Sequence, residues 1–237
     1  MANIKNRYLL KLSGELLKGD RGSGLCLQTA DRIVKRIVPL IKSGVELGIV
    51  IGGGNIFRGA SAGIDGYDRR IGDQIGMMAT VINALSLVER FRANGVNALP
   101  VSAIEIAGVA SLFNIDLVES SFKNAGVVVF CGGIGNPYLS TDTTAAIRAL
   151  QINAQAVFKA TKVDGIYDKD PVKYCDAKLY STITFDEIIK NKLKVMDLSA
   201  MILMRDNNMK LMVFSMNDEG MLEKACRGET AGTIVKE

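Results

Sequence analysis

Histidine is absent from this 237-residue chain, and so is tryptophan. Without imidazole, Ser-His and Cys-His nucleophilic systems and His-based zinc sites are excluded. Without Trp, and with aromatics at 6%, there is no base-stacking platform, so no direct nucleic-acid binding is expected. Proline occurs only 4 times, and no Pro/Ser-rich or single-sign stretch divides the chain, so residues 1–237 read as one continuous globular unit. The 4 cysteines, Cys26, Cys131, Cys175 and Cys226, are far apart and form no C-x-x-C pair, which points to reduced thiols. No apolar run approaches the roughly 18 residues that span a bilayer. Lys11 interrupts the N-terminal apolar run too early for a secretory segment. A cytoplasmic protein away from membranes is the expectation.

What remains is Lys, Arg, Asp, Ser, Thr and backbone amides. Phosphoryl transfer can be run with that set, because it depends on positioning and charge stabilisation. An acceptor that is already a phosphate monoester, with a second pKa of about 6, needs no general base. Apolar residues make up 48% and charged residues 23%, as in an ordinary folded protein. The net charge of +4 comes from 29 basic and 25 acidic residues spread along the chain, which suits small anionic ligands.

Short apolar runs alternate with helical patterns. Strands are predicted at Tyr8 to Leu12, Val45 to Ile51, Asn97 to Val101, Val127 to Phe130, Ala156 to Lys159, Lys210 to Phe214 and Thr233 to Val235. Helices are predicted at Gln28 to Ser43, Asp73 to Phe91, from Thr141, at Phe185 to Lys190, Leu198 to Asp206 and Gly220 to Cys226. Continuously apolar strands between helices argue for an α/β fold with a mostly parallel sheet covered on both faces. Ligands bind such sheets at the carboxyl ends of the strands, where the Gly-rich turns fall.

Those turns fit neither G-x-x-x-x-G-K-[ST] nor G-x-G-x-x-G in a strand-turn-helix setting, which disfavours a Walker ATPase and a simple dinucleotide dehydrogenase. Consecutive glycines still let backbone N–H groups close around an anion. Lys11 stands in an otherwise apolar strand, either on the exposed side of an edge strand or facing an anion. Arg58, after Gly52-Gly53-Gly54, can add a bidentate phosphate contact. Asp73 and Asp142 lie near helix starts, where a carboxylate is also a routine capping group.

Together the stretches KLSGE (Lys11 to Glu15), VIGGGNIFRG (Val50 to Gly59), IGDQIGMMATVINAL (Ile71 to Leu85), GNPYLSTDTTAA (Gly135 to Ala146), KATKVDGIYDKDP (Lys159 to Pro171), KVMDLSA (Lys194 to Ala200) and GTIV (Gly232 to Val235) resemble the bacterial-type UMP kinases, a branch of the amino-acid kinase superfamily. The resemblance implies a three-layer αβα sandwich, with UMP held by the N-terminal part and ATP by the C-terminal part, about residues 155–237. The reaction implied is transfer of the ATP γ-phosphoryl to UMP, with Mg²⁺ on the ATP phosphates and no protein ligand assigned to it, Asp142 and Asp197 resembling the family's acidic residues that orient the lysine and the metal. Lys11, Arg58, Asp142 and Asp197 would be catalytic. ATP would meet Lys11, Leu12, Ser13, Gly14, Gly54, Arg58, Thr161, Tyr167 and Asp170. UMP would meet Gly53, Asp73, Ile134, Gly135, Asn136, Pro137, Tyr138, Leu139, Ser140 and Thr141. Family members are typically homohexamers, activated by GTP and inhibited by UTP, and the loop Gly19, Asp20, Arg21, Gly22, Ser23, Gly24 resembles the segment linked to GTP.

Ile134 departs from the family, where threonine is usual; Ser140 and Tyr167 replace the commoner Thr and Phe. Two other readings compete. Other kinases of the superfamily phosphorylate an amino acid, carbamate or isopentenyl phosphate, but Asp73 in its GD-x-x-GM segment and GNPYLSTD belong to the UMP branch. Molybdenum storage proteins share the fold without catalysis, yet they lean on histidine, which is missing here.

Overall fold

A computed structural model describes residues 6–57, 68–216 and 218–237. Among the described residues nine strands form one sheet: β1 (Arg7–Leu12), β2 (Glu46–Ile51), β3 (Ala98–Ser102), β4 (Ser111–Leu112), β5 (Val127–Cys131), β6 (Ala156–Thr161), β7 (Thr182–Thr184), β8 (Lys210–Ser215) and β9 (Thr233–Lys236). Their spatial order is β4-β3-β5-β2-β1-β6-β8-β9-β7. Of the pairings between these nine strands only β8 with β9 is antiparallel. The helices are α1 (Leu27–Lys42), α2 (Arg69–Ala93), α3 (Ile115–Lys123), α4 (Thr141–Gln151), α5 (Phe185–Lys190), α6 (Leu198–Asp206) and α7 (Met221–Cys226).

Strand periodicity sorts the core into two layers. Tyr8, Leu10 and Leu12 of β1 face one cluster with Ile33, Ile37, Leu87 and Leu222, from α1, α2 and α7. Leu9 points the other way, toward Val118, Ala149, Ile188 and Met204 of α3 to α6. The expected αβα sandwich is therefore present. With β1 in the middle of the sheet, the edge-strand reading of Lys11 fails: the side chain lies on the Leu9 face and is only 8% exposed.

Several boundaries differ from the sequence reading. Helix α2 starts at Arg69, four residues before Asp73, because Asp68 caps it through the Arg70 N–H at 2.8 Å. Helix α3 went unread, although Asn114 caps it by accepting from Asp116 and Leu117. The short strands β4 and β7 carry too little apolar pattern to announce themselves. Helix α2 is long and apolar enough to cross a membrane, yet Val81, Ala84, Leu87 and Phe91 belong to the core of the sandwich. Its other side leaves Ile71, Met78, Ile82 and Leu85 exposed.

Candidate active site

Strands β1, β2, β5 and β6 run parallel and in register, so their carboxyl ends open onto one rim. Lys11 of β1 is the direct cross-strand partner of Lys159 of β6, and both side chains lie on the same face. Adjacent strands are about 4.8 Å apart, so two ammoniums are forced close together. Asp142, in the first turn of α4, meets both. Its Oδ1 is 2.7 Å from Lys11 Nζ, close enough for an ion pair though poorly aligned for a hydrogen bond. Its Oδ2 accepts from Lys159 Nζ at 2.8 Å. Lys159 Nζ also donates to the Val195 carbonyl at 2.5 Å.

All three charged side chains are mostly buried. Burial alone pushes the Asp142 carboxyl up, but Lys11 and Lys159 outweigh it and hold it below the ordinary carboxylate range. Burial and then the Lys11 charge pull the Lys159 ammonium below the usual lysine range, against the attraction of Asp142. Two cations contact one anion, and Asp197 adds a longer-range attraction on Lys159, so among the groups in direct contact a positive charge is left for a ligand to meet.

Asp142 is not the cap of α4. Ser140 is, accepting from the Asp142 N–H at 2.9 Å and the Thr143 N–H at 3.3 Å. The Asp142 carboxylate is thereby left to the lysines. Asp197 caps α6 through the Ala200 N–H at 2.8 Å and accepts from Thr143 Oγ1 at 2.9 Å and from the Ser140 hydroxyl. It joins the starts of α4 and α6 and does not touch the lysines directly.

Two cavities flank this cluster. One, of 410 Å³, is lined by Gly53, Gly54, Asp73, Thr80, Gly133, the run Tyr138 to Thr141, Thr143 and Asp197. The other, of 510 Å³, is lined by Thr161, the run Gly165 to Pro171 and Asn191 to Val195. Thr141 and Thr143 bracket Asp142 on the first side, and Val195, which accepts from Lys159, lines the second. Gly53 lies so close to α2 that an added Cβ would meet the Gly76 carbonyl and Ala79 Cβ, both at 2.8 Å. In the first cavity Asp73 Oδ2 accepts from the Tyr138 N–H at 2.8 Å, and Asp73 pairs with Arg69 at 2.8 Å. That hydrogen bond holds Tyr138 in a left-handed conformation, φ +69°, which costs a side-chain-bearing residue energy.

The predicted residues fall unevenly around these features. Gly53, Asp73 and Tyr138 to Thr141 line the first cavity; Ile134 to Pro137 do not. Gly54, expected near ATP phosphates, lines the same cavity as Gly53. Thr161, Tyr167 and Asp170 line the second. The Leu12 side chain is buried in the core, so only its backbone can reach a ligand. Ser13 caps a short 3₁₀ turn, Gly14–Leu16. Gly19 to Gly24 forms a loop tied to the Gly54-Asn55 turn by the Gly24 N–H, which donates to the Asn55 carbonyl at 2.7 Å. Arg58 lies outside the described residues.

Lys159 was missed as a site residue. The signal was available: it is a lysine at the end of an apolar strand, as Lys11 is, and the same burial argument applies.

The match to known proteins settles the family. The Amino acid kinase family model matches residues 6–215. The chain belongs to the amino acid kinase family. A uridylate kinase of Colwellia psychrerythraea is 46% identical over 229 residues, covering 97% of this chain and 93% of the relative. One of Haemophilus ducreyi is 45% identical, covering 98% of each. Among solved structures, a UMP kinase from Bacillus anthracis superposes on this chain with a TM-score of 0.93 at 33% identity, covering 98% of this chain and 96% of that one.

Proposed function

We propose that this member of the amino acid kinase family transfers the γ-phosphoryl of ATP to UMP, giving ADP and UDP. The observation that carries the reading is the Lys11–Asp142–Lys159 cluster, whose neighbours Thr141 and Thr143 line one cavity and whose partner Val195 lines the other. The chain's similarity to uridylate kinases, 46% and 45% identical over nearly its whole length, supports UMP as the acceptor. UMP would occupy the cavity of Gly53, Asp73 and Thr141, with the N-terminus of α4 favouring its phosphate. The nucleoside of ATP would occupy the cavity of Thr161, Tyr167 and Asp170, with Ser13 and Gly14 beside its phosphates.

As the phosphoryl passes in line between two oxygens, charge spreads over its equatorial oxygens. Lys11 and Lys159 meet that charge, and Asp142 keeps both ammoniums aimed. Asp142 is not a base here: both of its oxygens face ammoniums, and an acceptor phosphate with a pKa of about 6 is already ionised. Among the described residues no three acidic or thiol side chains converge on one point. Both Asp197 oxygens are taken by hydroxyl and backbone donors. The chain fits a Mg²⁺ held by the nucleotide phosphates, where it would supply charge neutralisation.

The same reading includes Arg58 at the phosphates, a cytoplasmic homohexamer, activation by GTP through the loop Gly19 to Gly24, and inhibition by UTP. The apolar stripe Ile71, Met78, Ile82 and Leu85 supports association of copies. The test is ADP release with ATP and Mg²⁺, offering UMP, CMP, dUMP and several amino acids, with and without GTP. Turnover on UMP well above the others is expected. Turnover on an amino acid and not on UMP would sink the acceptor assignment.

A further inference from the structure

We propose that Asn55 and Asn83 are positioning residues that fix the spacing between the donor-phosphate turn at Gly14 and the acceptor loop Gly52 to Gly54. The inference rests on the phosphotransfer reading and deepens it. The two side chains are 2% and 0% exposed, and they pair reciprocally. Asn83 Nδ2 donates to Asn55 Oδ1 at 2.7 Å, and Asn55 Nδ2 donates to Asn83 Oδ1 at 3.1 Å. The remaining donors reach outward: Asn83 Nδ2 to the Gly52 carbonyl at 2.7 Å, and Asn55 Nδ2 to the Gly24 carbonyl at 2.8 Å. Every amide N–H of the pair is used, so neither side chain can shift without stranding a buried donor.

The pair reaches both substrates' sides. Gly52 leads directly into Gly53 and Gly54, which line the acceptor cavity. Gly14 packs on the same spot: an added Cβ there would lie 2.4 Å from the Gly52 carbonyl oxygen and 2.5 Å from Asn55 Oδ1. The donor turn therefore rests on the acceptor loop, and Asn55 is the surface it rests on. Asn83 belongs to α2, the helix that also carries Asp73, so the acceptor's anchor and the loop spacing share one rigid element. In-line transfer is sensitive to such spacing, since misplacement by about 1 Å can cost up to about 10²-fold in rate.

Asn83→Leu keeps the size and removes both donors and the acceptor. Asn55→Asp keeps the size and Oδ1 and removes the donors to Gly24 and Asn83. Steady-state kinetics with ATP and UMP, normalised to the folded fraction from circular dichroism, gives the decisive split. We expect kcat to fall at least about tenfold in each variant, with KM for both nucleotides within about twofold of the parent. Hydrogen exchange of the amides in residues 52–57 should quicken in parallel. Unchanged kcat in the folded fraction, or a loss confined to KM, overturns the proposal. A variant too unstable for kinetics is judged by the other variant and by exchange in segment 52–57, where parental rates also overturn it. If the parent turns over a different acceptor and not UMP, the acceptor assignment fails alone, and the same split is read with that acceptor.

Discussion

Strand β1 carries a buried cation near each end, and the two are neutralised in opposite ways. At the N-terminal end Arg7, 2% exposed, faces two carboxylates: Glu46 at 2.6 Å, and Glu119 with both oxygens at 2.6 and 2.9 Å. It also donates to the Ile152 carbonyl at 2.6 Å and lies over the Phe122 ring. The one buried cation is paired with two carboxylates that reach solvent, so no buried charge is left in excess. At the other end Lys11 and Lys159 both contact the single carboxylate of Asp142, with Asp197 acting on Lys159 only from a distance, so the charge in direct contact is positive. A buried charge satisfied inside the chain holds the fold together. A buried charge in excess awaits a ligand of opposite sign, which here would be phosphate.

Substitution at the two ends should separate these roles, and it gives the largest effects. Arg7→Met removes the cation that Glu46 and Glu119 share and should cost about 3–5 kcal/mol of stability, toward the lower figure because both carboxylates keep some solvent. Urea unfolding measures this, and kcat of the folded fraction should stay at the parental value. Lys159→Met should do the reverse. Asp142 keeps Lys11, so stability should change little, whereas kcat should drop on the order of 10²–10³-fold. If Lys159→Met unfolded the protein while Arg7→Met abolished turnover, the comparison would be upside down.

The contrast also has a pH signature. Lys159 titrates below the ordinary lysine value of about 10.4 in the folded state. Between its folded pKa and that value the native state releases a proton that the unfolded state keeps, so this group's contribution to stability rises with pH. Turnover should fall across the same window, because the second ammonium is lost. Lys159→Arg, which does not titrate there, should remove that alkaline limb from the kcat profile. An unchanged limb would assign it to another group. At the acid end the sign differs. Asp142 is depressed, so its contribution is complete above about 3.9 and is lost as pH falls through its lower folded pKa.

Much of this was legible in the sequence, through one physical signal applied unevenly. The apolar runs gave the parallel strands, and the glycines at their ends marked the rim. A lysine inside YLLKL stood out because burying an ammonium alone is costly. Lys159 ends its strand in the same way, but it fell at the boundary of the predicted segment. Arg7 lay just outside a strand read as starting at Tyr8, so its burial went unseen. The start of α2 was hidden by Arg69 and Arg70, which interrupt the apolar period although Asp68 caps the helix. Asn55 and Asn83 gave no local sign at all: two amides 28 residues apart become partners only when α2 folds back over the Gly52 turn.

The smallest effect concerns Asp73, where the site's geometry complicates the simple assignment. A carboxylate waiting for a nucleoside is expected to be unengaged, yet Asp73 Oδ2 already accepts from the Tyr138 N–H while Arg69 pairs with the same group. The hydrogen bond restrains Tyr138 in its left-handed conformation, so Asp73 shapes the wall of the acceptor cavity as well as facing into it. Asp73→Asn keeps an oxygen for the Tyr138 N–H and loses the charge facing Arg69. The loss should then be near 1 kcal/mol, a several-fold rise in KM for UMP with kcat nearly unchanged. Asp73→Ala, which also releases Tyr138, should raise that KM further. If the two variants were equal, Asp73 would act on the acceptor by charge alone, and the restraint on Tyr138 would have no part in binding. If KM moved in neither, the acceptor would have to sit elsewhere on the rim, beyond the reach of α2.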